Sequence, residues 1–227
     1  MRRTPEDKPA VARVARSKSA ARKNYDRMSR WYDVLAEPAE KKPKAIGLRK
    51  LGIREGETVL EIGFGTGRRI LNLARSVGDP GRVYGVDLSP GMLGVARKRV
   101  AEAGLSERVE LALGDAVELP FEEKLFDAVY MSFTLELFDT PEIPQVLGEC
   151  RRILKNSGRI CVVSLKKTPG RAVRLYEWLH EKFPTYLDCR PIPLREMMED
   201  AGFEVLDAEE CPIVGLLPVE IVLAGMK

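Results

Sequence analysis

Three glycines at alternate positions, Gly63, Gly65 and Gly67, follow Glu61 at the end of the apolar run Thr58-Val-Leu-Glu-Ile62. Alternate glycines let the backbone turn tightly and let a ligand come close with no Cβ in the way. The spacing is Gly-x-Gly-x-Gly, and Arg68 stands where a dinucleotide-binding turn would need its third glycine. Twenty residues after Gly67 comes Asp87, a carboxylate able to accept two hydrogen bonds from a ribose diol. Asp115, in Gly114-Asp-Ala116, is suited to receive an exocyclic amine from a base, and Leu88 and Met92 to cover an adenine face. Each feature alone has a plain structural reading as a turn former or helix cap. Their succession predicts a pocket for an adenosyl-type ligand.

A second group of reactive side chains lies later, in Tyr176-Glu-Trp-Leu-His180 and Asp188-Cys-Arg190. His180 is the only histidine, and histidine titrates where a general base is useful. Tyr176 precedes it by one helical turn, so the two share a helix face. Arg190 and Arg174 are candidates to bind an anionic group of a second substrate. The competing reading makes this a surface helix with Tyr176 and Trp178 packed beneath it.

Positioning these residues requires alternating strands and helices. Strand patterns fall at 57–62, 82–86, 109–113, 128–133 and 160–165, and helical patterns at 66–77, 90–103 and 143–154. Ser89 and Pro90 form a helix start of N-cap and first-turn proline. Repeated βα units predict an α/β fold with a parallel sheet, right-handed crossovers and helices on both faces. Two strand-like runs at 203–209 and 219–223 have no helix between them, which predicts an antiparallel C-terminal hairpin and a seven-stranded mixed sheet. The stretch at about 168–200 carries two short helices and reads as a lid-like insert in a domain spanning 51–227, with residues 1–50 as a basic N-terminal helical cap.

Composition narrows the class. The 227 residues suit one α/β domain with additions. Four cysteines without C-x-x-C spacing argue against a zinc cluster or a disulfide framework, and no metal is expected. No run reaches the length of a membrane span and no signal-peptide core appears, so a cytoplasmic location is expected. Residues 1–44 hold thirteen Lys/Arg against six Asp/Glu (+7), which leaves −4 of the total +3 for the remainder. The acidic remainder is poorly suited to nucleic acid, whereas the basic segment could dock peripherally on an anionic membrane surface.

The quoted motifs resemble those of the class I S-adenosylmethionine-dependent methyltransferases. The resembling residues are Leu60-Glu-Ile-Gly-Phe-Gly-Thr-Gly67, Val83-Tyr-Gly-Val-Asp-Leu-Ser89, Gly114-Asp-Ala116 with Leu119-Pro-Phe121, and Phe126-Asp-Ala-Val129. Asn24-Tyr25-Asp-Arg-Met-Ser-Arg-Trp-Tyr32-Asp33 is similar to the N-terminal tyrosine signature of the branch typified by ubiquinone/menaquinone-biosynthesis enzymes. The resemblance implies a Rossmann-like, doubly wound sheet and S-adenosylmethionine as cofactor. It also implies that Gly63, Gly65 and Gly67 pass the methionyl part, with Glu61 near its amino group. Asp87 would hold the ribose, Asp115 and Ala116 meet the adenine, Tyr25 covers the cofactor, and Ser132 and Thr134 line the cleft near the sulfonium.

Met131-Ser-Phe-Thr134 lacks the Asn/Asp-Pro-Pro-Tyr pattern used for exocyclic amines of bases, and no Pro-Cys nucleophile is present. A small or lipophilic acceptor remains: a quinone-type ring, a phenol or a phospholipid headgroup amine. The rival readings are a non-catalytic cofactor-binding module acting through a protein partner and, opposed by Arg68, a nicotinamide-dependent oxidoreductase.

Overall fold

The computed structural model describes residues 37–182, 189–213 and 217–227, together with Arg13, Val14, Ser19, Arg22, Tyr25 and Asp26. In chain order the elements are α1 (Glu37–Leu51), β1 (Thr58–Ile62), α2 (Arg68–Ser76), β2 (Arg82–Asp87), α3 (Pro90–Glu102), β3 (Val109–Leu113) and β4 (Phe126–Ser132). A 3₁₀ turn (Leu135–Leu137), α4 (Ile143–Ile153), β5 (Leu154–Leu165), α5 (Arg171–Lys182), α6 (Leu194–Asp200), β6 (Phe203–Ile213) and β7 (Leu217–Met226) complete the series.

The seven strands form one sheet in the order β3-β2-β1-β4-β5-β7-β6. β1 to β5 are parallel, and β7 runs antiparallel to both β5 and β6. The sequence therefore predicted the sheet and its terminal hairpin. β1 and β4 are central and buried along nearly their whole length, so both read as continuous apolar runs. Side chains alternate between two cores. Val59, Tyr130, Cys161 and Val163 pack under α1, α2 and α3, while Leu60, Val129, Met131 and Val162 pack under α4 and α6.

Local sequence explains the helix starts. Ser89 caps α3 by accepting a hydrogen bond from Met92 N at 3.1 Å, with Pro90 in the first turn. α2 begins without a side-chain cap, at Gly67 in the left-handed conformation. That leaves first-turn N–H groups directed toward the glycine loop. α1 lies so close to the sheet that a Cβ on Gly47 would meet Val163 Cγ2 at 2.6 Å. Its C-terminus is tied by Arg159 Nε donating to Leu51 O at 2.5 Å, which places its N-terminal turns over the carboxyl ends of the strands.

Some boundaries differ from the sequence expectation. β5 begins at Leu154, because Leu154 is buried opposite Phe126 and the polar residues after it are absorbed by a register shift. β6 and β7 are longer than their apolar cores, since hairpin pairing continues through Pro212 and Pro218. Of the expected lid, α5 and α6 are described, and residues 183–188 lie outside the described residues. Of the N-terminal cap, Ser19, Arg22, Tyr25 and Asp26 are helical, and α1 follows.

Candidate active site

The glycine turn sits at the switch point of the sheet, between the carboxyl ends of β1, β2 and β4. Gly63, Gly65 and Gly67 all have positive φ, at 73°, 53° and 79°. Gly63 N donates to Val86 O at 2.8 Å, and Gly65 N donates to Asp87 Oδ2 at 2.9 Å. The three glycines meet different neighbours. A Cβ on Gly63 would strike Thr134 Oγ1 at 2.2 Å, and one on Gly67 would strike Ala96 Cβ at 2.8 Å. A Cβ on Gly65 would touch no protein atom within 4 Å. Two glycines thus serve close packing, and the middle one faces open space. Phe64, between the first two, turns away from the cleft into the core, beside Gly85.

Asp87 closes the second strand with its carboxylate organised by the backbone. Besides Gly65 N, it accepts Ser89 N on Oδ1 at 2.9 Å. Burial raises its pKa, opposed by these N–H donors. With the Leu88 N–H as a third donor on about four acceptor sites, the carboxylate keeps room for a ribose hydroxyl. Asp115 Oδ1 accepts Val117 N at 3.2 Å in a side-chain turn after β3, and the adjacent Ala116 is buried. Leu88 is half-buried, and Met92 is buried at the start of α3.

Glu61 is 1% exposed, and its Oε2 has no hydrogen-bond partner among the described residues. Burial pushes its pKa well up, with the Lys44 ammonium opposing. A buried carboxylate oxygen left without a donor is costly unless a ligand supplies one. An α-ammonium group is such a donor. The open face of Gly65, the organised Asp87 and the orphan oxygen of Glu61 together fit the adenosyl and methionyl parts of S-adenosylmethionine.

The segment after β4 borders the same turn. Ser132 is buried, and Thr134 Oγ1 donates to Ser132 O at 3.0 Å while packing on Gly63. Phe133 between them holds φ at 52°, a conformation unusual for a bulky residue. Tyr25 is helical and half-buried, and its neighbour Asp26 accepts Ser89 Oγ at 2.6 Å and Gly91 N at 2.9 Å. The N-terminal segment is therefore pinned to the start of α3, on the Asp87 side of the cleft.

The residues considered for the second substrate fall elsewhere. Tyr176 donates its hydroxyl to Cys189 O at 2.9 Å, joining α5 to the segment before α6. His180 is half-buried one turn on, and Arg174 is exposed. Arg190 is 2% exposed, and its guanidinium donates to Glu136 O at 3.1 Å, to Thr140 Oγ1 at 3.0 Å and to Phe138 O. It braces the segment after β4 from behind. Sequence reasoning missed three polar groups at this end of the sheet. Glu40 and Lys44, both buried, form an ion pair of 2.7 Å on α1, and Glu136 is fully buried in the 3₁₀ turn. No sequence motif marked them, because their meaning comes from the packing of α1 over the strand ends. Among the described residues no His, Cys, Asp or Glu side chains group as metal ligands do.

Comparison with known proteins bears directly on this geometry. Residues 59–158 match the family model described as "Methyltransferase domain". The demethylmenaquinone methyltransferase of Symbiobacterium thermophilum is 32% identical over 230 residues, covering 90% of this chain and 89% of that protein. The chain belongs to the class I S-adenosylmethionine-dependent methyltransferases, in the ubiquinone/menaquinone-biosynthesis branch. A 2-phytyl-1,4-naphtoquinone methyltransferase of Trichormus variabilis is 29% identical, covering 88% of this chain and 83% of that protein. Among solved structures, a SAM dependent methyltransferase from Aquifex aeolicus superposes with a TM-score of 0.66 at 25% identity, covering 88% of this chain and 97% of that one. The protein is thus a methyltransferase that uses S-adenosylmethionine.

Proposed function

We propose that this methyltransferase acts on a ring carbon of a reduced, prenylated naphthoquinone-type acceptor. The observation that carries the reading is the match to demethylmenaquinone methyltransferase along nearly the whole of both chains. It extends beyond the cofactor half of the fold to the residues after β5, where an acceptor would be selected. S-adenosylmethionine, when bound, supplies the methyl group as a sulfonium electrophile. Gly63, Gly65, Asp87 and Glu61 hold it, with Asp115 and Ala116 at the adenine, Leu88 and Met92 on its face, and Tyr25 as a cover. Ser132 and Thr134 line the wall facing the acceptor. Alignment and exclusion of water supply much of the rate, so rigidly held strand ends are a suitable platform.

The acceptor must be the quinol. A quinone ring carbon is electron-poor, whereas a hydroxyl on the reduced ring pushes electron density onto its neighbouring carbon. Leu175 and Trp178, exposed and three residues apart on α5, offer apolar surface for a prenyl tail. The +7 charge of residues 1–44 favours an anionic membrane surface, where such a lipophilic acceptor resides. In the deciding experiment, protein and methyl-labelled S-adenosylmethionine are incubated with a demethylmenaquinol kept reduced, and with the same compound oxidised. Label is expected in the ring of the reduced compound alone. Absence of label in both, with the cofactor shown to bind, would rule this acceptor class out.

A further inference from the structure

The 3₁₀ turn after β4 carries a carboxylate that has no structural task of matching strength. Glu136 is 0% exposed. It accepts hydrogen bonds from Leu165 N at 3.3 Å, from its own backbone N–H and from the Ser164 hydroxyl, while its Oε2 has no partner among the described residues. A carboxylate has about four acceptor sites, and stable proteins rarely bury one with a whole oxygen left without a donor. The neighbouring charges do not account for it. Glu40 of α1 faces it and is paired with Lys44, and Arg190 donates to the carbonyl of Glu136. Lys166, just after β5, pairs with Glu220 of β7 at 3.2 Å and with Glu210 of β6. Glu61 of β1 and Asp87 of β2 are further carboxylates at this end of the sheet.

Position adds a second argument. Thr134, two residues before Glu136, is the side chain in contact with Gly63 of the cofactor turn. The chain from the cofactor wall to Glu136 is thus one short turn, held from behind by Arg190 and from above by α1. Two buried carboxylates with an orphan oxygen, Glu61 and Glu136, therefore stand at the ends of adjacent strands. The first suits the cofactor's ammonium group. The second is left for the other substrate.

We propose that Glu136 is the general base of the reaction, accepting the ring hydroxyl proton of the quinol-type acceptor as the neighbouring carbon attacks the methyl group. This rests on the acceptor reading above. The O–H bond breaks toward Glu136, and its electron pair shifts through the ring to form the new carbon–carbon bond. The sulfonium carbon–sulfur bond breaks, and its pair stays on sulfur as a thioether. The ring C–H proton then leaves to solvent, and Glu136 returns its proton to the ring oxygen, which restores both the aromatic quinol and the ionised carboxylate. Burial pushes Glu136 up to about 8, opposed by its own N–H, the Leu165 N–H and the Ser164 hydroxyl, which brings it nearer the range of phenol-type hydroxyls. His180 and Tyr176 on α5 are the alternative bases, and Tyr176 already donates its hydroxyl to Cys189 O.

The test compares wild type, Glu136→Gln and His180→Ala with demethylmenaquinol under reducing conditions across pH, alongside S-adenosylhomocysteine affinity by calorimetry. In wild type, kcat/KM is expected to rise with pH through about 8, because the base works only when ionised. Glu136→Gln keeps the N–H contact to Leu165. It is expected to bind S-adenosylhomocysteine normally, lose about 10²–10⁴-fold in kcat and lose that limb of the profile. An acceptor bearing an electron-withdrawing ring substituent, already ionised at the working pH, is expected to restore most of the variant's rate. Full turnover in Glu136→Gln, or a loss confined to His180→Ala, overturns the proposal. If Glu136→Gln does not fold, Glu136→Asp serves, and an unchanged pH profile there overturns it equally. A wild type that binds cofactor but never methylates the quinol instead removes the acceptor reading, and with it this role.

Discussion

Gly63 and Gly65 lie two positions apart, share a left-handed backbone and carry opposite expectations when a methyl group is added. Alanine at 63 would collide with Thr134 on top of its φ of 73°, so the protein itself should be destabilised, by roughly 2–3 kcal/mol or more. Alanine at 65 meets no protein atom, and only the backbone penalty of about 1 kcal/mol remains. Its methyl would instead intrude on the ligand. Thermal melts and calorimetry with S-adenosylhomocysteine should show Gly65→Ala near wild type in stability but roughly 10- to 100-fold weaker in binding. A Gly65→Ala protein with normal affinity would contradict the placement of the cofactor against this turn. At this scale the sequence was most legible where backbone chemistry demands a residue type: alternate glycines for a close approach, and Asp87 at a strand end. It was least legible for Glu136 and Lys44. A glutamate in a turn and a lysine in a helix look like solvated surface until α1 is known to cover them.

Elements explain what single residues could not. Arg190 reads in sequence as a cation awaiting an anion, yet the segment before α6 carries it under the 3₁₀ turn, where carbonyls take its donors. Replacing it with methionine would leave buried acceptors unsatisfied, at a cost of roughly 2–4 kcal/mol. For a chain of this length that lowers Tm by roughly 5–10 °C. A purely acceptor-binding role makes the opposite expectation, a raised KM with an unchanged Tm, so the two are separable in one variant. The same lesson holds for the strands. β1, β2 and β4 were visible as apolar runs bounded by turn residues. The first turn of β5 was hidden, because Lys155-Asn-Ser-Gly158 looks like a loop and is held to the sheet by Leu154 opposite Phe126. The 3₁₀ turn carries no periodic signal, being only three residues long.

Across the whole molecule the N-terminal segment is strapped to the catalytic domain at two separated points. Arg13 forms a bidentate pair with Asp139, whose carboxyl it holds well below the usual carboxylate range, and Val14 N donates to the same group at 3.0 Å. Asp26 holds the start of α3. One contact falls in the segment after β4 and the other at the start of α3, after β2. Asp26→Ala should weaken S-adenosylhomocysteine binding by about tenfold while leaving the melting temperature nearly unchanged, and an unaltered affinity would detach this segment from the site. No helix among the described residues is long and apolar enough to cross a membrane. The strand order has a consequence for synthesis. β7 is made after β6 but fills the slot between β6 and β5. Until it leaves the ribosome, the nascent chain presents the long, apolar edge of β5 with nothing to pair it, and β6 can join the sheet only through a strand not yet made. The binding half of the enzyme can therefore be assembled early, while its solubility waits for the last strand, and slower translation through that hairpin would prolong the aggregation-prone interval.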